Sequence, residues 1–293
     1  MVNKSKKIII IGAGRVGTAL AVALKNSGYK IHTVVSRRFD SAKKLAKRVD
    51  CKNYTEDPVM ACKNGEILFI TTPDDVIEKV CKKISSYLKP NALVIHTSGA
   101  LSSGILKSAK KRGASVLSMH PCQSFGDTES AFKTIPGSYF CLEGDKEAIE
   151  VGKRIVLDIG CHPFVISSDE KPLYHIACCI LSNYLFTTAN AGIKILESLN
   201  IKHEEALKIS IPLIKGTVHN IEKIGIPDGL TGPIERGDIE TIRRHIQVLE
   251  KTMPEFLSLY KKLGIETLKI AKSKGSVSDT KYEEFLKTFR KEK

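Results

Sequence analysis

The sequence has no tryptophan, and aromatic residues make up only 6% of its 293 positions. That scarcity argues against an aromatic stacking platform for single-stranded nucleic acid. No run of 18 or more consecutive apolar residues occurs, so no membrane span is expected. The first residues are a short polar, basic run leading into four isoleucines, too short for the apolar region of a secretory signal. The expected location is therefore the cytoplasm. None of the eight cysteines stands in CxxC spacing or beside a metal-type histidine pattern, so no metal centre is expected. Scattered thiols in a chain of this length read as reduced, buried apolar residues. Acidic residues are also short: 32 Asp and Glu against 46 Lys and Arg, a net charge of +14. That surplus favours anionic partners. The basic residues are spread out, densest at Lys43 to Arg48 and Lys281 to Lys293. On helices such groups read as solvated faces rather than a nucleic-acid footprint.

What is present is enough for a substantial core, with 42% apolar residues over a length that suits two domains. Residues 7–11 are a continuous apolar run ended by glycine, as in a strand buried on both faces of a parallel sheet. A helical pattern follows over 15–27 and stops at Gly28. Further strands are expected at 31–35, 67–71, 92–97 and 115–119, with helices at 41–49, 75–88 and 103–111. This alternation implies an α/β fold with a doubly wound parallel sheet. Two more strands are expected near 138–142 and 163–166. From Lys171 the pattern is almost wholly helical, over 171–199, 203–223, 238–251 and 254–273. The expected division is an α/β domain over 1–167 and an all-α domain over 168–293.

Gly12-Ala13-Gly14-Arg15-Val16-Gly17 fits GxGxxG at the first strand-to-helix turn, where the motif binds a dinucleotide. Gly12 allows the tight turn, Gly14 lets backbone approach a pyrophosphate, and Gly17 lets helix and strand pack closely. Free N–H groups and the helix dipole favour the phosphates. An NAD site carries a carboxylate about 20 residues on, for the ribose 2′-hydroxyl. Here the second strand ends in Ser36-Arg37-Arg38 instead. Two guanidiniums and a hydroxyl suit a 2′-phosphate, so the expected cofactor is NADP(H). Thr72 and Pro73, and Thr97 and Ser98, end the next strands and should line the same cofactor, because ligands in such sheets lie at the carboxyl ends of strands.

Reduction of a ketone leaves an alkoxide, which needs a proton donor. Lys171, His175 and Ser182 are spaced by 4 and 7, one stripe of a helix, with Asn183 one residue round from it. His120, just past a strand end, is a second candidate acid. Lys171 also reads as a surface residue and His175 as a hydrogen-bonded core histidine. Arg236 could pin a substrate carboxylate, and Asn220 could reach the same cleft. Asp238 reads as the cap of the following helix.

Five segments, GAGRVG (12–17), VIHTSGA (94–100), HPCQSF (120–125), YHIACCILSNY (174–184) and LTGPIERGD (230–238), give the chain a resemblance. It resembles the Rossmann-like oxidoreductases with a C-terminal helical domain long of unknown function. They are grouped with pyrroline-carboxylate reductases, ketopantoate reductases, hydroxyacid dehydrogenases and the 6-phosphogluconate dehydrogenase C-terminal-like domains. The resemblance implies a homodimer through the helical domain and an NADPH-dependent reductase, ketopantoate being the leading substrate. An imine reductase, or a non-catalytic NADP(H) sensor, are the rival functions. In hydroxyacid dehydrogenases a catalytic Lys and Asn lie four residues apart. Here His175 stands four after Lys171, which puts direct transfer of that mechanism in doubt.

Overall fold

A computed structural model of the chain describes residues 4–291. The outermost residues of the basic N- and C-terminal runs lie outside that range. Contacts divide the chain into two compact units, Met1–Ser182 and Asn183–Lys293.

The first unit is built on an eight-stranded sheet of order β3-β2-β1-β4-β5-β6-β7-β8. The strands are β1 (Ile8–Ile11), β2 (Ile31–Val35), β3 (Asn53–Thr55), β4 (Ile67–Ile70), β5 (Leu93–His96), β6 (Ser115–Cys122), β7 (Tyr139–Gly144) and β8 (His162–Val165). The four isoleucines of β1 serve both faces. Ile8 and Ile10 join one apolar cluster, Ile9 and Ile11 the other, as the period-two alternation of a strand between two helical layers requires. Helices α1 (Arg15–Asn26), α2 (Phe39–Arg48), α3 (Pro58–Cys62), α4 (Asp74–Ile84), α5 (Lys107–Lys110) and α6 (Lys146–Asp158) make the crossovers. The chain reverses direction across the sheet between β1 and β4, the switch point at which such sheets bind ligands.

The sheet departs from all-parallel at one place, where β7 runs antiparallel to β6. The connection from Cys122 to Tyr139 holds only a short 3₁₀ turn, Ala131–Thr134, and lacks the crossover helix a parallel pair needs. Besides the short helix α3, two elements lie outside the pattern read from sequence. One is β3, a three-residue edge strand with exposed or half-buried side chains. The other is α6, whose buried Ala148, Gly152, Ile155 and Val156 cover the β6–β7 region. Helix α7 (Lys171–Cys179) is helical in composition but belongs by contact to the sheet unit.

The helical path continues from α7 through a π-helical turn, Ile180–Tyr184, into α8 (Leu185–Glu197). The second unit then adds α9 (His203–Lys223), α10 (Ile239–Thr252), α11 (Leu257–Ser273) and α12 (Asp279–Arg290). Its core lies among α10, α11 and α12, around Ile242, Leu268, Phe285 and Phe289. Helix α12 was read from sequence only as a basic run. Its N-cap, Ser278, accepts a hydrogen bond from the Lys281 N–H. Asp238 caps α10, accepting from Thr241 N at 3.1 Å and Thr241 Oγ1 at 2.7 Å. Helices α8 and α9 pair with each other but leave Phe186, Leu213, Ile221 and Ile224 exposed.

The helix Lys171–Glu197 is long and apolar enough, by length and composition alone, to cross a bilayer. Polar residues interrupt its apolar run in the sequence, but averaged over 18 residues it passes.

Candidate active site

The first part of the site is the loop after β1. Gly12 has φ +120°, and a Cβ there would lie 2.7 Å from the Thr71 carbonyl oxygen, so only glycine fits this turn. Thr71, at the end of β4, donates its hydroxyl to the Gly12 carbonyl at 2.8 Å and ties the two strand ends together. A Cβ on Gly17 would sit 2.0 Å from the Gly12 carbonyl oxygen, whereas one on Gly14 would meet nothing within 4 Å. The two glycines therefore differ in kind. Gly17 is needed for packing of α1 on its own loop, and Gly14 keeps open the space in front of the loop.

That space is a cavity of about 480 Å³ at the switch point, lined by Gly12, Ala13, Gly14, Ser36, Arg37, Arg38, Thr72 and Pro73 among others. A second cavity of about 430 Å³ adjoins it across Ala13, Gly14, Arg38 and Ser41, and adds Arg15, Lys44 and Arg48. Lys44 and Arg48 are paired with Glu129. Among the described residues Arg37 and Arg38 make no salt bridge, and both are exposed. The buried Thr72 Oγ1 has no hydrogen-bond partner while its residue lines the first cavity. A buried hydroxyl is seldom left unpaired, so this atom suits a ligand's polar group. Open space before Gly14, an unpaired Thr72 hydroxyl and two uncommitted guanidiniums fit a phosphorylated dinucleotide. Val16 and Gly17 lie behind the cavity, in α1. Thr97 and Ser98 are buried and line neither cavity.

Ser98 is instead the hub of the second part of the site, at the carboxyl ends of β5 and β6. Its hydroxyl donates to Asp74 at 2.8 Å, its N–H donates to Nδ1 of His96 at 3.2 Å, and its carbonyl accepts from Lys171 Nζ at 3.1 Å. Lys171 is fully buried, and its Nζ donates again to Ser118 Oγ at 2.8 Å. Burial pulls the Lys171 pKa down from the usual lysine value. His96, fully buried with Nε2 bound to the Ser102 carbonyl, is held at about 4, first by burial and then by the Lys171 charge.

Beyond Ser118 on β6, Nδ1 of His120 shares a hydrogen bond of 2.6 Å with the Tyr174 hydroxyl. Burial, then the charge of Lys171, then His175 and His96, push His120 down to about 3. His120 is thus neutral at any ordinary pH. His175 is half-buried, with its ring centroid 6.3 Å from that of His120. The two rings converge on Gly99, where a Cβ would lie 2.6 Å from His175 Cδ2 and 2.9 Å from His120 Nε2.

The structure thus brings together Lys171, His175 and His120 from the sequence candidates. Lys171 is no surface residue, and its full burial behind Ser98 and Ser118 makes it a positioning group rather than a group open to substrate. Ser182 and Asn183 are exposed and stand in the π turn. A π turn takes more residues than an α turn, so the spacing of 4 and 7 does not carry the Lys171–His175 stripe through to Ser182. Arg236 and Asn220 belong to the second unit, Arg236 exposed before the Asp238 cap and Asn220 half-buried near the end of α9. Tyr174, Ser118 and Gly99 were missed from sequence. Tyr174 had a signal, its place directly before His175 and two helical turns from Ser182.

Comparison with known proteins places these observations. Residues 2–121 match a Rossmann-like domain, and residues 138–267 match a domain of unknown function, DUF2520. Protein TM1727 from Thermotoga maritima is 31% identical, with a TM-score of 0.73 over 92% of this chain and 99% of that one. The pyrroline carboxylate reductase of Plasmodium falciparum, solved with NADP bound, shares the fold at 15% identity, with a TM-score of 0.59 over 98% of this chain and 99% of that one. A glycerol-3-phosphate dehydrogenase [NAD(P)+] from Desulfitobacterium hafniense is 26% identical over 39% of this chain. The match spans about a third of that relative's length, 36%. The fold is that of the NAD(P)-dependent oxidoreductases.

Proposed function

This chain, a Rossmann-like domain followed by the domain of unknown function, belongs to the family of Thermotoga maritima TM1727, and from that premise we propose that it is an NADPH-dependent reductase of a small anionic 2-oxo acid, ketopantoate first among them. The observation that carries the reading is the sequence of strand ends. The loops after β1, β2 and β4 line the larger of the two adjoining cavities, and the carboxyl-terminal parts of the next two strands bear the rest, the Ser98 hub just past β5 and His120 among the last residues of β6.

NADPH, held over Gly12 to Gly14 with its 2′-phosphate at Ser36, Arg37 and Arg38, would supply a hydride to the substrate carbonyl carbon. The protein's own residues do the rest. The Tyr174 hydroxyl donates to His120 Nδ1, which leaves the Nε2–H free to hydrogen-bond the carbonyl oxygen. A neutral imidazole is suited to this, because it donates without having to lose a charge. His175, whose ring meets that of His120 at Gly99, delivers the proton that the developing alkoxide needs. Lys171 fixes the Ser98 carbonyl and Ser118, and so the loop before Gly99. The positive charge of the surroundings suits a carboxylate substrate. Ser182 remains a candidate for a substrate contact.

We also propose that a second copy of the chain covers the exposed apolar face of α8 and α9. Large apolar side chains exposed along a helix pair mark an interaction site. A protein partner fits better than lipid, because the helix starts at Lys171, buried in protein, and carries Asn183, Asn190, Lys194 and Glu197 along its length. Size-exclusion chromatography with light scattering should give a dimer, and Phe186→Asp with Leu213→Asp should give a monomer.

The function is tested by NADPH absorbance decay with purified protein and ketopantoate, with NADH and a cyclic imine in parallel. Decay with ketopantoate that prefers NADPH supports the reading. Decay with the imine alone moves it to an imine reductase. NADPH binding without turnover on any carbonyl or imine leaves a sensor. A His175→Ala protein with full turnover would sink the proton-donor assignment.

A further inference from the structure

The proposed chemistry leaves a group of thiols unused. Four of the eight cysteines gather where β6, β7 and α7 meet. Cys122 ends β6 and is exposed, Cys178 and Cys179 lie half-buried in α7, and Cys141 is buried on β7 opposite His120. The Sγ atoms of Cys122 and Cys178 are 3.8 Å apart, in contact with nothing between them. The Tyr174 hydroxyl, one helical turn before Cys178, bonds His120 and also interacts with the Cys178 thiol. Cys179 sits differently, 4.0 Å from the His175 ring nitrogens.

We propose that Cys122 and Cys178 are a redox modification site, a dithiol that a peroxide converts to a disulfide beside the His120–Tyr174 pair. The exposed thiol reacts first. Cys122 sulfur attacks a peroxide oxygen, the O–O bond breaks, and Cys122 sulfenic acid and water form from hydrogen peroxide. Cys178 sulfur then attacks Cys122 sulfur. The S–S bond forms, the S–O bond breaks, and hydroxide leaves with the Cys178 proton as a second water. The two thiols have lost two electrons to the peroxide. Closing from sulfur contact to a bond of about 2 Å needs side-chain rotation and a small approach of α7 to the strand end. A reductant such as a dithiol reverses the step by exchange. The bond would tether the middle of α7 to the end of β6, and so restrain the helix that presents Tyr174 and His175. It would also remove the thiol partner of the Tyr174 hydroxyl. The effect on turnover rests on the reductase reading; the bond itself does not.

The test uses the full chain, purified in reductant and then treated with hydrogen peroxide. Free thiols are alkylated and peptides mapped by mass. The expected result is a Cys122–Cys178 cross-linked peptide, lost in Cys122→Ser and in Cys178→Ser, kept in Cys179→Ser, and reversed by dithiothreitol. Turnover of the wild type should fall roughly fivefold or more on oxidation and recover on reduction, with no such response in Cys122→Ser. Wild-type protein in which both thiols stay alkylatable, or in which Cys122 passes to sulfinic acid without a cross-link, would overturn the site. A full cross-link with undiminished turnover would overturn its effect on the reaction and leave both the bond and the reductase reading standing.

Discussion

The ammonium of Lys171 donates to Ser118 Oγ at 2.8 Å from a fully buried position, and among the described residues it makes no salt bridge to any carboxylate. A cation kept dry on two neutral acceptors is costly unless it serves the site. It holds the Ser98 carbonyl from below while the Ser98 hydroxyl reaches Asp74, so one lysine sets the loop that leads to Gly99.

Replacing that lysine by an apolar side chain of similar length therefore separates folding from function. Lys171→Met removes the desolvation cost and leaves two acceptors short of a donor, effects of similar size and opposite sign. We expect the melting temperature to move by no more than about 5 °C. Turnover should fall by roughly a hundredfold, through kcat rather than through NADPH affinity. The reading fails if Lys171→Met keeps its kcat, or if it loses NADPH binding and kcat together.

The two guanidiniums at the end of β2 allow a sharper test of cofactor choice. Arg37 and Arg38 line the cavity and, among the described residues, make no ion pair, so their charge is open to a ligand. A charge-assisted hydrogen bond contributes about 1.5–3 kcal/mol, which corresponds to roughly 10- to 100-fold in affinity. Arg37→Ser and Arg38→Ser should weaken NADPH by about that factor and leave NADH within about twofold, as measured by calorimetry or fluorescence titration. Equal losses for both cofactors would mean that the arginines do not read the 2′-phosphate.

How much of this was legible beforehand follows from where each signal resides. The cofactor loop was readable because its chemistry is local. Gly12, Gly14 and Gly17 act within six residues, and Arg37 and Arg38 follow one strand later. The sheet was readable because strands buried on both faces leave continuous apolar runs. Helix α6 was equally readable in principle, with Ala148, Gly152, Ile155 and Val156 at helical spacing. The proton-transfer cluster was not. His120 and Tyr174 are 54 residues apart, and only the pairing of β6 with the sheet and the packing of α7 bring them to one hydrogen bond. The π turn at Ile180–Tyr184 likewise has no clear sequence mark, and it is what separates Ser182 from the stripe that helical spacing implied.

The contrast between two glycines of one motif gives a prediction that spacing alone could not. A methyl at residue 17 would stand 2.0 Å from the Gly12 carbonyl oxygen, and at residue 14 it would touch nothing. Gly17→Ala should therefore cost roughly 2–4 kcal/mol of stability, since backbone cannot give way as a side chain does. Gly14→Ala should keep the wild-type denaturant midpoint and lose most NADPH affinity, because the methyl fills the space a pyrophosphate needs. Urea unfolding and NADPH titration of both variants check the pair. A Gly14→Ala protein that binds NADPH normally would remove the loop from the cofactor site.

The buried histidines impose a pH dependence on stability whose sign is fixed. His96 is held at about 4 and His120 at about 3, both below the unfolded value of 6.5. Between those limits the unfolded chain binds protons that the folded chain does not, so unfolding is favoured as pH falls. Stability is then complete above about pH 6.5 and is lost progressively below it, down toward pH 3–4. Each histidine contributes at most about 1.4 kcal/mol per pH unit in that window. Thermal unfolding followed from pH 7.5 to 5 should show a midpoint that is level above about pH 6.5 and falls steadily below it. His120→Gln, which cannot take up the proton, should flatten that slope by about half while lowering kcat. A midpoint that stays level from pH 7 to 5 in the wild type would mean that His96 and His120 are not kept neutral by their burial, and the role of His120 as a neutral hydrogen-bond donor to the substrate carbonyl would go with it.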